Sequence, residues 1–206
     1  MAKTCLAKIT NHANRAGSHD VTDSLISFFV LFKTLLWAQK PRSVTLAMSQ
    51  TWVVFTDASY EQTQSGEATA GFGGVLVSAV KRPIFFSFEL SGKDVDKLNP
   101  SGKKTVIFQC ELFAVLVALS VWRDQLSSRQ VVFYIDNDRV RDVLISSDTS
   151  DPIGHVMLTR VLELEGALAI FSWFTRVPSR SNIADGPSRG ECKELIAAKA
   201  IKTGSS

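Results

Sequence analysis

The chain has 206 residues, of which 45% are hydrophobic and 21% are charged. This is typical of one globular domain with an added arm and excludes a collagen, a coiled coil or a long disordered tract. The net charge of +3 is uneven, because residues 1–51 carry six Lys or Arg and two Asp, whereas residues 52–206 carry 17 basic and 18 acidic residues. The body is therefore not a uniformly basic nucleic-acid-binding domain.

Residues 1–50 are predicted to form an N-terminal arm with one amphipathic helix. Asp23 can cap a helix that begins at Ser24 and ends near Gln39, since the next residue precedes a proline. The apolar run Leu25–Phe32 is too short to span a membrane, which takes about 20 residues, and it begins too late for an ordinary secretory signal. We expect a buried helix and no membrane partner. A helix lying on a membrane surface is the alternative.

From Trp52 onwards the pattern changes to period two and to β-branched and aromatic residues, which favours strands. Strands are predicted over Trp52–Ser59, Ala70–Val80 and Ile84–Leu90. The short connections between them indicate an antiparallel meander. The glycines of the second strand, in AGFGGVL, indicate that another backbone approaches it closely.

Helices and further strands then alternate. The predicted elements are a loop over Ser91–Lys104, a helix over Thr105–Leu126, a doubly covered strand over Gln130–Ile135, a short helix over Arg139–Ser146, a helix from Asp151-Pro152 to about Ala169, a strand over Phe171–Val177, a loop that carries Asp185, and a weakly helical tail over Glu191–Ile201. This order predicts an α/β fold: a mixed five-stranded sheet of a three-strand antiparallel meander plus parallel strands, with helices on both faces.

The cysteines and two tryptophans have ordinary explanations. Cys5, Cys110 and Cys192 are widely spaced and form no CxxC pair, which argues against a zinc knuckle. An odd, unpatterned set fits a reducing compartment, so we expect an intracellular protein of the cytoplasm or nucleus. Cys110, Trp52 and Trp173 are predicted to pack in the core.

Four acidic residues stand out by their settings: Asp57 in WVVFTDASY, Glu111 in VIFQCELFAVLVAL, Asp136 in VVFYIDND and Asp185 in VPSRSNIADGPSRG. Asp57 and Asp136 follow apolar strands, where open sheets place their sites. The helix neighbours of Glu111 three and four positions away are all apolar, so its carboxylate needs a partner or a cation. Asp138 competes with Asp136, which we prefer because it adjoins the strand directly.

Converging carboxylates suit Mg²⁺ or Mn²⁺. Two such ions can activate a water and stabilise the leaving oxygen of a phosphodiester. The alternative is that each carboxylate is separately structural, as a loop cap or as half of an ion pair.

The motifs FTDAS, AGFGGVL, QCELFAVLVAL and YIDND, in this order, resemble the ribonuclease H family. VPSRSNIADGPSRG is similar to the final motif of RNase H domains linked to reverse transcriptases, as in hepadnaviruses and tyrosine-recombinase-type retroelements. The resemblance covers residues 52–190. The helix at 24–39 with the KPRSV segment also looks like the connection that precedes RNase H in such polymerases, although no polymerase palm motif is visible.

The resemblance implies an RNase H-like domain over residues 51–206, in which Asp57, Glu111, Asp136 and Asp185 bind two Mg²⁺ ions, with Mn²⁺ as a substitute. The ions would position a water that hydrolyses the RNA strand of an RNA–DNA hybrid, leaving a 3′ hydroxyl and a 5′ phosphate. Such enzymes recognise the hybrid through its 2′-OH groups and minor-groove shape. A reverse transcriptase polymerase domain is the implied protein partner.

Substrate contacts are predicted at Ser59, Asn137, Arg180, Asn182 and Arg189. Ser59 and Asn137 would contact the substrate backbone, and the last three belong with Ser181 and Ser188 to a polar, basic cluster suited to phosphate. An ordinary solvated loop is the alternative.

Two features depart from the family pattern. The segment 174–184 lacks the His that many members carry, so Arg176 or Arg180 is the candidate for its role in product release. Gly186-Pro187 follows Asp185 directly, where many relatives continue a helix.

Two other functions fit the same resemblance. One is a catalytically silent RNase H-like domain used for scaffolding or nucleic-acid binding, against which the four intact carboxylates argue. The other is a nuclease or strand transferase that acts on DNA, against which the strand spacing and the VPSRSNIADGPSRG loop argue.

Overall fold

A computed structural model describes residues 51–62, 68–100 and 106–203, together with Ile26, Phe29, Val30 and Lys33. These four isolated residues are helical and exposed. The rest of the predicted arm lies outside the described residues, so the arm and the domain boundary at residue 51 stay predictions. Among the helices that the structure describes, none is long and apolar enough to cross a membrane.

The described strands form one mixed sheet in the order β5-β4-β1-β2-β3-β6. They are β1 (Trp52–Gln62), β2 (Ala68–Val77), β3 (Ile84–Ser91), β4 (Gln130–Ile135), β5 (Phe171–Arg176) and β6 (Ile201–Lys202). The first three strands are an antiparallel meander, whereas β4 is parallel to β1 and β5 is parallel to β4. The predicted five-stranded arrangement is confirmed. β6 adds a two-residue strand parallel to β3, too short to leave a periodic pattern in the sequence.

Seven described α-helices and one 3₁₀ turn accompany the sheet. They are α1 (Lys93–Leu98), α2 (Ile107–Val121), α3 (Arg123–Leu126), α4 (Asp138–Ser146), α5 (Pro152–Leu168), α6 (Asp185–Ser188), α7 (Lys193–Ala197) and the turn Ser179–Ser181. α5 begins as predicted, because Asp151 accepts the backbone N–H of Gly154 at 2.8 Å. α1 corrects the loop predicted over 91–104: Val95 and Leu98, three residues apart, are both buried by one helical segment.

Helices lie on both faces of the sheet, as predicted. The helices α2 and α5 bury one face in the main core, where Trp52 and Cys110 pack as expected. The other face carries a smaller cluster built on Val75, Phe85 and Ala184. The core prediction for Trp173 is wrong, since its side chain is 65% exposed. Its strand, β5, forms the sheet edge, whereas α6 packs over β1, β2 and β3.

The glycines of β2 let residues 179–190, the closing segment, lie directly on the sheet. A Cβ at Gly71 would come within 1.9 Å of the Ser188 carbonyl oxygen, and one at Gly73 would come within 2.4 Å of the Ala184 carbonyl oxygen. The predicted close backbone approach is therefore confirmed. The predicted loop around Asp185 is a short helical turn packed on the sheet.

Candidate metal centre

The pairing of β1 with β4 places Asp57 and Asp136 side by side. The parallel register joins Phe55 to Tyr134, and each acid lies two residues further along the chain. β4 ends at Ile135, whereas β1 continues to Gln62, so both carboxylates lie at the carboxyl end of β4. This is the edge at which open α/β sheets form their sites.

Glu111 of α2 completes a group of three carboxylates. One carboxylate oxygen from each of Asp57, Glu111 and Asp136 lies within 4.8 Å of the other two. Asp57 and Glu111 are only 4% and 5% exposed, and Asp136 is partly buried. The sequence prediction that Glu111 turns toward a partner is consistent with this position, because the helix that carries it packs against β1.

The group is electrostatically strained. Burial raises the pKa of Glu111 to about 9, and the charges of Asp136 and Asp57 act in the same direction, while a hydrogen bond with Asn137 opposes them. Burial likewise raises the pKa of Asp57 to about 7, and a hydrogen bond from Ser188 opposes the rise. Carboxylates held this close do not all ionise at neutral pH unless positive charge is supplied.

Two buried carboxylate oxygens of the group have no hydrogen-bond partner: Oε2 of Glu111 and Oδ1 of Asp136. An unsatisfied buried oxygen costs free energy that a ligand can recover. Oxygen donors of this kind suit hard divalent cations such as Mg²⁺ and Mn²⁺. The residues therefore fit a metal site.

No protein-family model matches the sequence, and no curated protein matches it. Solved structures do. RNase H1 from the halophilic archaeon Halobacterium salinarum NRC-1 is 20% identical over 70% of this chain and 98% of its own, with a TM-score of 0.50. The N-terminal RNase H domain of a Mycobacterium tuberculosis protein is 14% identical over 74% of this chain and 100% of its own, with a TM-score of 0.50. LC11-RNase H1, isolated from compost, is 14% identical over 71% of this chain and 98% of its own, with a TM-score of 0.50.

The chain has an RNase H-like fold. At these identities the likeness identifies the fold, so activity has to be argued from the site.

Within this RNase H-like fold, Asp185 stands apart from the three grouped acids. Its side chain is 49% exposed and forms an ion pair with Arg189, whose Nε lies 3.1 Å from Asp185 Oδ1. Its charge still acts on Asp57, whose pKa it raises slightly further. The role of Asp185 as a fourth ligand stays a prediction.

Asp138, the competitor of Asp136, points elsewhere. It begins α4 and forms an ion pair with Arg141 at 2.8 Å, and Arg176 lies 3.5 Å from the same oxygen. Asp136 therefore belongs to the carboxylate group, while Asp138 belongs to a surface ion-pair network.

The predicted substrate contacts occupy different settings in the RNase H-like domain. Asn137 caps α4 with its side chain, and Asn182 is buried and donates to a backbone carbonyl of β1 at 3.0 Å. Ser59 donates to a backbone carbonyl of the closing segment at 2.8 Å. Arg180 and Arg189 are exposed. Four of these side chains thus have internal bonds, since Arg189 also pairs with Asp185. The substrate role of all five stays a prediction.

Sequence reasoning missed a buried polar link between α2, the helix that carries Glu111, and α5. Gln109 is buried, and its Nε2 donates to Asp151 Oδ2 at 2.9 Å, which joins α2 to the first turn of α5. The residues around Gln109 are almost all apolar, so one amide side chain among them does not indicate a hydrogen bond to another helix. The link fixes α2 two residues before Glu111.

A second missed contact joins the closing segment to the carboxylate group. Ser188 Oγ donates to Asp57 Oδ2, although the sequence assigned Ser188 only to a basic loop. The alternating glycines of β2 were a signal that some backbone lies on that strand. They did not indicate which segment it is.

Proposed function

We propose that the chain is a Mg²⁺-dependent ribonuclease H, an endonuclease that hydrolyses the RNA strand of RNA–DNA hybrids and is of the reverse-transcriptase type. The observation that carries this function is the group formed by Asp57, Glu111 and Asp136, two of whose buried oxygens lack partners. Its position at the carboxyl end of β4 in an RNase H-like fold adds support.

The three grouped carboxylates would hold the metal, with Asp185 as the fourth ligand of a two-ion site. When bound, Mg²⁺ activates a water and stabilises the leaving oxygen of a phosphodiester. The chain itself supplies three carboxylates, from β1, from α2 and from the residue that follows β4. Two of them, Asp57 and Glu111, are buried. Because Asp57 and Glu111 are almost fully buried, bulk water is excluded from their inner side, where electrostatic interactions are strongest.

Recognition of the hybrid would fall to the exposed rim. Arg180 and Arg189 are exposed on the closing segment, and guanidinium groups form bidentate hydrogen bonds with phosphate oxygens. Phosphate contacts position a nucleic acid without reading its sequence. The reverse-transcriptase type rests on VPSRSNIADGPSRG, and it implies a polymerase domain as a partner.

One assay tests the proposed function. The protein is incubated with Mg²⁺, and separately with Mn²⁺, and labelled RNA–DNA hybrid, RNA duplex or DNA duplex. We expect cleavage of the hybrid's RNA strand alone, lost in Asp57→Asn and kept in Asp94→Asn. Asp94 is a suitable control because it lies on α1, 58% exposed, and pairs with Lys97.

The other outcomes separate the alternatives. If the protein cleaves no nucleic acid with either metal, the silent scaffold replaces the nuclease. If it cleaves the DNA duplex, a DNA-directed nuclease on the same fold is the better description.

A further inference from the structure

The Asp57 carboxylate is held by a neutral hydroxyl from a distant part of the chain. Ser188 Oγ donates to Asp57 Oδ2 at 2.5 Å. Ser188 is 2% exposed and Asp57 is 4% exposed, so water does not compete for this bond. Asn182 Nδ2 lies 3.5 Å from the other oxygen, Oδ1, but its shorter bond goes to the Thr56 carbonyl at 3.0 Å. Ser188 is therefore the main hydrogen-bond partner of Asp57.

The backbone of Ser188 is fixed independently of its side chain. Ser59 Oγ donates to the Ser188 carbonyl at 2.8 Å, and Ser87 Oγ donates to the carbonyl of Pro187 at 2.7 Å. Gly71 gives the Ser188 carbonyl room to lie against β2. Removal of the Ser188 hydroxyl would thus leave the segment attached, which makes the hydroxyl separable from the attachment.

A neutral donor is what a metal-binding carboxylate needs at this place. A Lys or Arg would neutralise Asp57 and repel a cation, whereas a hydroxyl satisfies one oxygen and leaves the negative charge. The same hydrogen bond opposes the rise in the pKa of Asp57 that burial causes. Metal ligands are commonly oriented by such hydrogen bonds, whose loss weakens metal affinity about 10–100-fold.

We propose that Ser188 is a positioning residue of the metal site, which orients Asp57 toward the cation through its hydroxyl. This inference rests on the proposed function, in that it assumes a divalent cation at the group of Asp57, Glu111 and Asp136. Ser188 Oγ also lies 2.8 Å from the Asp185 carbonyl oxygen. The hydroxyl thus lies between one grouped carboxylate and the backbone of the predicted fourth ligand.

The test measures Mn²⁺ binding by isothermal titration calorimetry without nucleic acid, on the full chain. We expect Ser188→Ala to weaken Mn²⁺ binding about tenfold. Ser188→Cys, which keeps a side chain of similar size but is a weak donor, should weaken it to a similar extent. Ser87→Ala is the matched control, because it removes another serine hydroxyl bound to the same segment without touching Asp57, and it should bind as the wild type does.

A kinetic measurement separates positioning from simple attachment. In Ser188→Ala the Mg²⁺ concentration for half-maximal cleavage should rise about tenfold, while the rate at saturating Mg²⁺ stays within about twofold of the wild type. A displaced segment would instead lower the rate at saturating Mg²⁺, in Ser87→Ala as well.

The outcomes distinguish this inference from the proposed function. If both Ser188 variants bind Mn²⁺ as tightly as the wild type, or if Ser87→Ala weakens binding as much as they do, Ser188 has no positioning role and the metal site stands. If the wild type binds no Mn²⁺, the metal site fails and the inference fails with it.

Discussion

Arg189 Nε lies 3.1 Å from Asp185 Oδ1, so the predicted fourth ligand already has a positive partner. Among the described residues, none of the three grouped acids forms an ion pair, although the charge of Arg189 also acts on Asp57 and lowers its pKa. The side chains of Arg189 and Asp185 are 54% and 49% exposed, and ion pairs with this much exposure are weak. A cation bound at Asp185 would compete with Arg189 for the charge of this carboxylate.

The first prediction follows from this competition. Arg189→Gln should strengthen the binding of a second Mn²⁺ ion several-fold, because it removes a positive charge next to a ligand. Calorimetric titration of Mn²⁺ gives both the number of ions and their affinities. Arg180→Gln, in the same segment, is the control for loss of one positive charge. Weaker second-ion binding in Arg189→Gln would show that Arg189 supports the site.

A second prediction concerns stability and pH without metal. Burial raises the pKa of Asp57 from 3.8 to about 7 and that of Glu111 from 4.5 to about 9, so the folded protein binds these protons more tightly than the unfolded chain does. The stability that these protonated acids contribute is complete below the unfolded pKa values and is lost as pH rises through the folded ones. Urea unfolding in EDTA should therefore give a free energy of unfolding that falls between pH 5 and pH 9.

Glu111→Gln provides the check on that slope. It removes the titrating group, so the free energy of unfolding should depend less on pH, with a reduction of at most about 1.4 kcal/mol per pH unit per proton. Glu163→Gln, on an exposed ion pair of α5, should leave the slope unchanged. Equal slopes for the wild type and Glu111→Gln would mean that Glu111 ionises normally in the folded protein.

Metal binding should release protons at neutral pH. A cation needs ionised ligands, and burial keeps part of this group protonated at pH 7. Mn²⁺ affinity should thus rise with pH from 6 to 9. Titration in buffers of different ionisation enthalpy measures the number of protons released. A binding enthalpy that is independent of the buffer would contradict the raised pKa values.

Substitution of Asp136 and of Asp138, two residues apart, should affect hybrid cleavage very differently. Asp136→Asn removes a member of the carboxylate group, so hybrid cleavage should fall by at least about 100-fold. Asp138→Asn only removes a partner of Arg141 and Arg176 and should keep most of the activity. Steady-state cleavage rates at saturating Mg²⁺ give the comparison. The reverse order of losses would move the site to Asp138.

The packing of the closing segment on the glycines of β2 can be tested by a substitution that changes no polar side chain. Gly73→Ala places a Cβ within 2.4 Å of both the Ala184 carbonyl oxygen and the Ser188 nitrogen. Because backbone cannot rotate away as a side chain can, we expect a loss of stability of about 1–3 kcal/mol. Hydrogen exchange should show lost protection over residues 179–190 and retained protection in β1. Unchanged exchange there would mean that the segment does not rest on Gly73.

The sequence predicted the features that long or periodic patterns encode. The strands of the meander and Gln130–Ile135 follow from alternating or continuous apolar residues, and the position of Glu111 follows from its apolar helix. Short elements could not be predicted, because they contain too few residues to form a periodic pattern. β6 spans two residues, and α1 buries only two side chains. Trp173 was assigned to the core because residue type says nothing about which strand forms the edge.

The candidate site likewise has residues that a local sequence pattern locates and contacts that no local pattern predicts. Asp136 can be located from the end of its strand, where open sheets form their sites. Asp57 lies inside β1, which continues to Gln62, and it reaches the same place because β4 is the shorter of the two parallel strands. The bond between Ser188 and Asp57 joins residues 131 positions apart, and no local pattern encodes such a contact. The ion pair of Asp185 likewise depends on the turn that α6 makes, which the Gly-Pro pair after Asp185 did not reveal.

That long separation has a consequence for the order in which the protein is made. At about 5–20 residues per second, roughly 7–26 s pass between the synthesis of Asp57 and that of Ser188. The bonds from Asn182 to β1 and from Ser59 to Ser188 are equally delayed, since they join residues 126 and 129 positions apart. A growing chain therefore carries Asp57, Glu111 and Asp136 before the hydroxyl that orients Asp57, and the metal centre is complete only after Ser188 has been added.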